Sequence, residues 1–503
     1  MSDFPLFIDG QFSEAASGDT FDTNDPSTGV HIGTVAQAGP EDAVRALTAA
    51  RAAFEDRRWA GKRGSERSRV LAAIGKGIRD RAAELAELEA RDSGATLAKA
   101  KGADVGGAAT WFRTMAEYAP LLDEPEALPQ TIAPGPSYNY LRREPVGVCS
   151  AIIPWNFPLQ MAAWKISMAL AAGNSIVLKP APETPATAVK LAEIIAEAGV
   201  PNGVVSIIPG PGPGTGEELV TNPLVDKVAF TGSTEVGRQI GRMAAATVKK
   251  VTLELGGKSA QIVLDDADLD LAVDGAAYAI FFHAGQVCTA GSRLLLPDAL
   301  HDQFVERLVA RARDIVVGPA LRQGVTMGPL VSQTQLDTVL GYIDAGRKEG
   351  ATLVTGGARL TGDGLDDGYF VAPTVFTDVT PDMTIVREEI FGPVLTVQRY
   401  GDVDEAVALA NDSEYGLAGG VWGTPARAMD VAARLRTGTV WVNDYHLLSP
   451  KYPFGGYKQS GNGREHGWLG LLEYTEAKHV HVGLDPRRAS KRWFDMTVPH
   501  PRP

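Results

Sequence analysis

Val146-Gly147-Val148-Cys149-Ser150-Ala151-Ile152-Ile153, running on into Pro154-Trp155-Asn156-Phe157-Pro158, is where the chain's organisation becomes readable. An almost unbroken apolar run stopped by a proline reads as a strand buried on both faces. Working onward, 159–172 reads as a helix, 175–178 as a strand, 184–198 as a helix and 204–208 as a strand. A short helix over 214–220, a strand over 225–230, a helix over 234–246 and a strand over 251–255 complete the series. Strands alternating with helices predict right-handed parallel βαβ units, hence an open doubly wound sheet. Upstream, 41–56 and 66–100 are rich in Ala, Glu and Arg at helical spacing.

A second α/β series follows. Its strands are expected at 261–264, 293–296, 352–354, 394–399, 419–422 and 440–442, with helices at 267–282, 300–316, 333–348 and 403–410 between them. Two stretches fit neither series: 137–143 and 474–482 alternate polar and apolar residues, as an antiparallel edge pair would. Exposed edges need covering, so a contact between subunits is expected there.

Composition limits the function classes. A chain of 503 residues is long enough for two or three domains. Its 44% apolar and 22% charged content is that of a globular protein rather than a disordered one. The formal charge of −13 argues against a nucleic-acid partner. Residues 1–10 carry no basic, apolar leader pattern, and the apolar stretch 166–178 is too short and too interrupted to span a bilayer. Two cysteines exclude a disulfide scaffold and suit a reducing, cytoplasmic setting.

Several short motifs could carry chemistry. Phe230-Thr231-Gly232-Ser233-Thr234-Glu235-Val236-Gly237 is a strand, a glycine turn and a helix start, where free N–H groups attract phosphate. Its G-x4-G spacing departs from G-x-G-x-x-G, and on spacing alone an ordinary strand–helix turn reads as well. Gly285-Gln286-Val287-Cys288-Thr289-Ala290-Gly291 sets a cysteine among small residues in a loop, either a nucleophile or a buried structural thiol. Cys149, inside an apolar strand, is read as structural. Glu254 precedes a Gly-Gly turn at a strand end, a place for a general base or for a solvated turn carboxylate. Asn156 between two prolines offers an amide N–H to an oxyanion, or is simply a turn residue. In Glu388-Glu389-Ile390-Phe391-Gly392-Pro393 a carboxylate could hold ribose hydroxyls, although the stretch also reads as a charged loop. No His/Cys cluster has zinc spacing, and neither a G-x-S-x-G elbow nor a Walker loop is present, so no metal is expected.

Taken together and in this order, these stretches resemble the aldehyde dehydrogenase superfamily, from Phe7-Ile8-Asp9-Gly10 to about residue 482. The 34-residue step from Glu254 to Cys288 matches the family's hydrolytic branch. The resemblance implies two doubly wound α/β domains, cofactor and catalytic, plus a small β oligomerisation element. By position, residues 1–123 and 147–255 would form the dinucleotide-binding domain and 256–455 the catalytic domain. Residues 124–146 and 456–483 would form the oligomerisation element, and 484–503 a C-terminal tail. It implies Cys288 as nucleophile, Glu254 as base and Asn156 as oxyanion donor, with Lys165 and Glu465 as a proton relay. Trp155, Lys179, Gly232, Ser233, Gly237, Glu389 and Phe391 would hold NAD. The substrate tunnel would comprise Phe157, Met161, Trp164, Phe282, Leu448 and Phe454, with Asp444 near its mouth.

One departure bears on the cofactor. Pro182 stands where NAD-preferring members usually carry a glutamate, with Glu183 next, so NADP is expected to be accepted to a measurable degree. The aromatic tunnel suits a hydrophobic aliphatic or aromatic aldehyde, while Asn443-Asp444-Tyr445-His446 resembles aminoaldehyde-oxidising relatives. A homodimer or homotetramer is implied. In the tail, Trp493 and Phe494 among Arg487, Arg488, Lys491 and Arg492 are read either as docking on a neighbouring subunit or as disordered. Coenzyme A-acylating relatives generally lack the counterpart of Glu254. A purely hydrolytic or structural protein would need neither the cofactor motifs nor all of Cys288, Glu254 and Asn156.

Overall fold

The computed structural model describes residues 2–132 and 134–498; residues 499–503 of the tail lie outside the described residues. The opening run forms the strand Val148–Ile152, the centre of the first sheet. On one side it pairs in parallel with Ser175–Lys179, which pairs in turn with Val205–Ile207. On the other side it pairs with Lys227–Thr231, followed by Lys250–Glu254. The chain thus winds outward in one direction and then returns to wind in the other. The reversal lies between Val148–Ile152 and Lys227–Thr231, and such a switch point opens a crevice at the strands' carboxyl ends. Those ends carry Pro154–Phe157 and Gly232-Ser233.

The boundaries of this series lie within two residues of those expected, because each element is marked locally. Pro158 occupies the first turn of helix Pro158–Ala172, where its missing N–H costs nothing, and left-handed Gly173 ends it. Ser233 caps helix Thr234–Ala244. Three features were not anticipated. Leu6–Ile8 and Gln11–Ser13 extend the first sheet antiparallel beside Val205–Ile207. Gly461–Asn462 closes its other edge against Leu253 and Glu254. The stretch 66–100 is two helices, Gly64–Asp80 and Ala82–Ser93, followed by a short helix Leu97–Lys99 and a π-helical turn Ala100–Val105 leading into helix Gly106–Tyr118.

The second sheet has seven strands in the order Thr352–Thr355, Thr374–Thr377, Val394–Tyr400, Arg293–Pro297, Ala260–Val263, Ala418–Trp422, Thr439–Val442. Thr374–Thr377 was not read from the sequence. Thr352–Thr355 pairs with it antiparallel, through a bulge, so this edge departs from the parallel βαβ pattern. The two edge-like stretches do pair. Thr475–Gly483 lies antiparallel along Ser137–Pro145 over its full length, with Glu126–Ala127 on the far side. Residues 461–462, by contrast, belong to the first sheet rather than to this small one.

The tail folds back on its own chain. Leu484 N–H donates to Pro136 O at 3.0 Å, and the Trp493 ring lies against Gly135. Among the described residues no helix is long and apolar enough to cross a membrane.

Candidate active site

Three distant segments meet at the crevice, and two glycines bring them together. A Cβ at Gly256 would strike the Glu389 carboxylate, and one at Gly257 would strike the Cys288 carbonyl oxygen. Only bare backbone lets the Glu254 strand end lie against both. Gly257 N–H then donates to Glu389 Oε1 at 2.9 Å. On the Cys288 side, His283 and Ala284 adopt left-handed backbone (φ 52° and 53°) and, with Gly285, turn the chain sharply after helix Leu269–Phe281. Arg293 ties the far end of that loop down, donating to the carbonyls of Lys258, Leu409 and Ala410.

Cys288 is half-buried and lies where two cavities meet. The first, of about 280 Å³, is lined by Trp155, Asn156, Gly232, Ser233, Glu254, Cys288, Glu389 and Phe391. Trp155 and Phe391 meet edge to face, with ring centroids 5.2 Å apart. Gln335, unmarked in the sequence, donates to Phe391 O at 2.9 Å and lines the same cavity. Two residues assigned to the cofactor stand apart from it. The Lys179 ammonium donates to the carbonyls of Pro180 (3.0 Å) and Gly210 (2.6 Å). Gly237 faces Leu255, whose side chain a Cβ would overlap, so it serves close packing of helix on strand.

The second cavity, of about 310 Å³, is walled by Phe157, Met161, Trp164, Phe282, Leu448 and Phe454. Trp111, Tyr278 and His446 also line it, with Gln160 and Thr289 among its polar groups. Trp111 comes from a helix the sequence pattern did not reveal. His446 is half-buried and neutral, its usual pKa pushed down to about 4 by desolvation; its ring is held between Thr289 Oγ1 and Ala279 O, each at 3.0 Å. Asp444 does not line this cavity. It is exposed, and its carboxylate accepts from the N–H of Tyr445 at 2.8 Å. The lining contains no carboxylate.

The polar groups around Cys288 are strongly perturbed. Burial, with Glu389 and Glu254 nearby, pushes the Cys288 thiol up to about 12. Glu254 is buried, and neither carboxylate oxygen meets a hydrogen-bond partner among the described residues. Burial first, and then the Glu465 carboxylate, raise its pKa well above the usual range. Lys165 and Glu465 form a fully buried ion pair. The Asn156 side chain donates from Nδ2 to Gln286 O at 2.9 Å, while its Oδ1 is unpartnered. Burial also pushes Glu389 up to about 7, opposed by the Gly257 N–H bond. Cys149, the other thiol, is fully buried in its strand, as expected.

A half-buried thiol with a buried, unpartnered carboxylate and an amide donor on the same cavity suits acyl chemistry at sulfur. Glycine turns, a capped helix start and a carboxylate lining that cavity fit a dinucleotide, and the aromatic wall fits an apolar substrate.

Known proteins resemble this chain in sequence and fold. The aldehyde dehydrogenase family model matches residues 12–480. Betaine aldehyde dehydrogenase of Bacillus subtilis is 47% identical over 97% of this chain and 99% of its own. An aldehyde dehydrogenase of Aspergillus niger is 46% identical over 95% of each. Among solved structures, Staphylococcus aureus betaine aldehyde dehydrogenase in complex with NAD+ superposes with a TM-score of 0.94 at 41% identity, over 97% of this chain and 96% of its own. The NAD+ complex of aldehyde dehydrogenase from Bacillus cereus gives 0.93 at 45%, over 96% and 97%. With the family model spanning both sheets and these relatives matching nearly end to end, the chain belongs to the aldehyde dehydrogenase family.

Proposed function

We propose that this family member oxidises a hydrophobic aldehyde to the carboxylic acid with NAD, using Cys288 as nucleophile. The observation that carries this reading is the position of Cys288, shared between a cavity fitted for a dinucleotide and an aromatic one. Cys288 Sγ attacks the carbonyl carbon, and its proton passes to Glu254, directly or through water. The oxyanion of the thiohemiacetal accepts from the Asn156 side chain and the Cys288 N–H. Trp155, Gly232, Ser233, Glu389 and Phe391 would hold NAD, which would supply the acceptor for the hydride whose loss turns the thiohemiacetal into the thioester. Glu254 then takes a proton from the water that attacks the thioester, which releases the acid and restores the thiol. Lys165 and Glu465, buried behind Glu254, carry the thiol's proton away before this second step, and the water's proton returns through Glu254 to the sulfur. The test is NADH formation at 340 nm over aliphatic, aromatic and amino-aldehydes, with Cys288→Ala as control. Turnover lost in the control is the expected result; turnover that survives there excludes the mechanism.

Pro182 in place of a glutamate removes one source of repulsion toward a 2′-phosphate, so NADP supports measurable turnover. A kcat/KM preference for NAD beyond about 10³-fold, ~4 kcal/mol, excludes this. A second substrate reading, a quaternary ammonium aldehyde, is favoured by the names of two relatives and by aromatic faces that attract cations. With Asp444 outside the cavity, rings rather than an acid would hold the ammonium, and primary aminoaldehydes would be poorer substrates than betaine aldehyde. A homodimer or homotetramer is supported by the exposed edge strand Thr475–Gly483. A cytoplasmic setting is supported by two free thiols.

A further inference from the structure

Behind the loop that presents Asn156 lies a buried lysine that the reaction scheme does not use. Lys99 ends the short helix Leu97–Lys99, just where the chain enters the π-helical turn Ala100–Val105. Irregular turns of this kind recur beside functional sites. Its side chain is 2% exposed, and its ammonium bridges its own turn and the loop that carries Asn156. Nζ donates to the Asn156 carbonyl oxygen at 2.7 Å and lies 3.9 Å from the centroid of the Phe157 ring. Asp104, fully buried within the same turn, faces it at 3.0 Å. Burial and the nearby Glu89 push the Asp104 carboxyl well up, while Lys99 opposes them. Glu89 grips the next residues of the loop, its Oε1 accepting from Leu159 N–H at 3.2 Å.

A buried ammonium is expensive, and an apolar side chain of similar volume would usually stabilise the fold as well or better. What the ammonium fixes here is the peptide plane joining Asn156 to Phe157. That plane sets the Cα–Cβ direction of Asn156. Among the described residues the Asn156 amide has little else to orient it, since Oδ1 is unpartnered and one Nδ2–H is held, by Gln286 O. We propose that Lys99, paired with Asp104, is a positioning residue that holds the Asn156 side chain toward the Cys288 sulfur. This rests on the reading of Asn156 as oxyanion donor.

The test is a double-mutant cycle between Lys99→Met and Asn156→Ala in the full chain. Two activities are read: aldehyde oxidation with NAD, and hydrolysis of p-nitrophenyl acetate without NAD, which needs the oxyanion donor but no hydride transfer. Lys99→Met is expected to lower kcat of both by roughly 10- to 30-fold, the cost of misplacing a reacting group by a fraction of an ångström to an ångström. KM for NAD stays within about 2-fold, because the cofactor groups are untouched. In the Asn156→Ala background the same change costs less than about 3-fold, because the group it positions is gone. Equal losses in both backgrounds, or an unchanged kcat, overturn the proposal. Should Lys99→Met fail to fold, Lys99→Met with Asp104→Asn removes the carboxylate that Lys99 would leave unpaired and is read the same way. If Asn156→Ala alone leaves both rates intact, Asn156 is no oxyanion donor and the inference falls with that reading; a slow Asn156→Ala beside a fast Lys99→Met sinks the inference alone.

Discussion

Glu254 carries the sharpest conflict between stability and chemistry at the scale of single residues. Its buried carboxylate has no hydrogen-bond partner among the described residues, and its pKa is raised well above the usual range. A base with a raised pKa is a stronger base once ionised, so kcat should climb as pH rises from 6 to 9. Glu254→Gln should lower kcat by about 10²- to 10³-fold and abolish that climb. The sign for stability is opposite. A carboxyl whose folded pKa exceeds its unfolded value binds its proton more tightly when folded. Stability is therefore lost as pH rises from the unfolded pKa toward the folded one. Glu254→Gln removes that loss, so its melting temperature should exceed the wild type's by roughly 1–3 °C at pH 8.5 and equal it at pH 4.5. A melting curve that falls at pH 8.5 would show that the carboxylate is satisfied by contacts other than those described. Cys288→Ala should abolish both dehydrogenase and esterase turnover while leaving the melting temperature unchanged, since the thiol is only half-buried.

At the scale of elements, helix Thr234–Ala244 packs on the end of strand Lys250–Glu254 beside the cavity proposed for the dinucleotide. Gly237 makes that packing possible by lying against Leu255. Gly237→Ala should push the helix start outward, cost about 1–3 kcal/mol of overpacking, and raise KM for NAD by roughly 5- to 10-fold with little change in kcat. Cofactor titration and saturation kinetics check this; an unchanged KM means that the strain is absorbed elsewhere. This glycine also shows how far a motif can be read. Gly232 and Gly237 look alike in sequence, but one lines the cavity and the other is a packing contact. The difference depends on Leu255, which comes from a neighbouring strand. Helix and strand positions were legible because prolines, caps and apolar runs act within a few residues of themselves. The antiparallel additions at both edges of the first sheet were not, because their partners lie far away in the chain.

Over the whole molecule, the small sheet and the tail form one face. Strand Thr475–Gly483 is mostly exposed, and the tail returns to its own Gly135 and Pro136. Arg488 braces it from within, donating to Asp495 at 2.7 Å and to Val498 O at 2.8 Å. For the proposed oligomer, a tail packed on its own chain is expected to be dispensable. Deleting residues 485–503 should leave the mass of the oligomer unchanged by light scattering and kcat within about 2-fold. A drop to monomer would place the tail on a neighbour instead.

Sequence alone determined the two α/β series, the strand ends that carry Asn156 and Glu254, and the loop that carries Cys288. These follow from local rules: apolar runs bury, prolines and glycines turn, and helix starts are capped. Tertiary structure alone decided which of the named residues share a cavity. It left Asp444 outside the aromatic cavity and turned Gly237 toward packing. It brought in Trp111, Tyr278 and Gln335, and it buried Lys99 against the Asn156 carbonyl. The reason is physical: a side chain's burial and its partners are set by segments distant in the chain, and no pattern within a few residues encodes that distance.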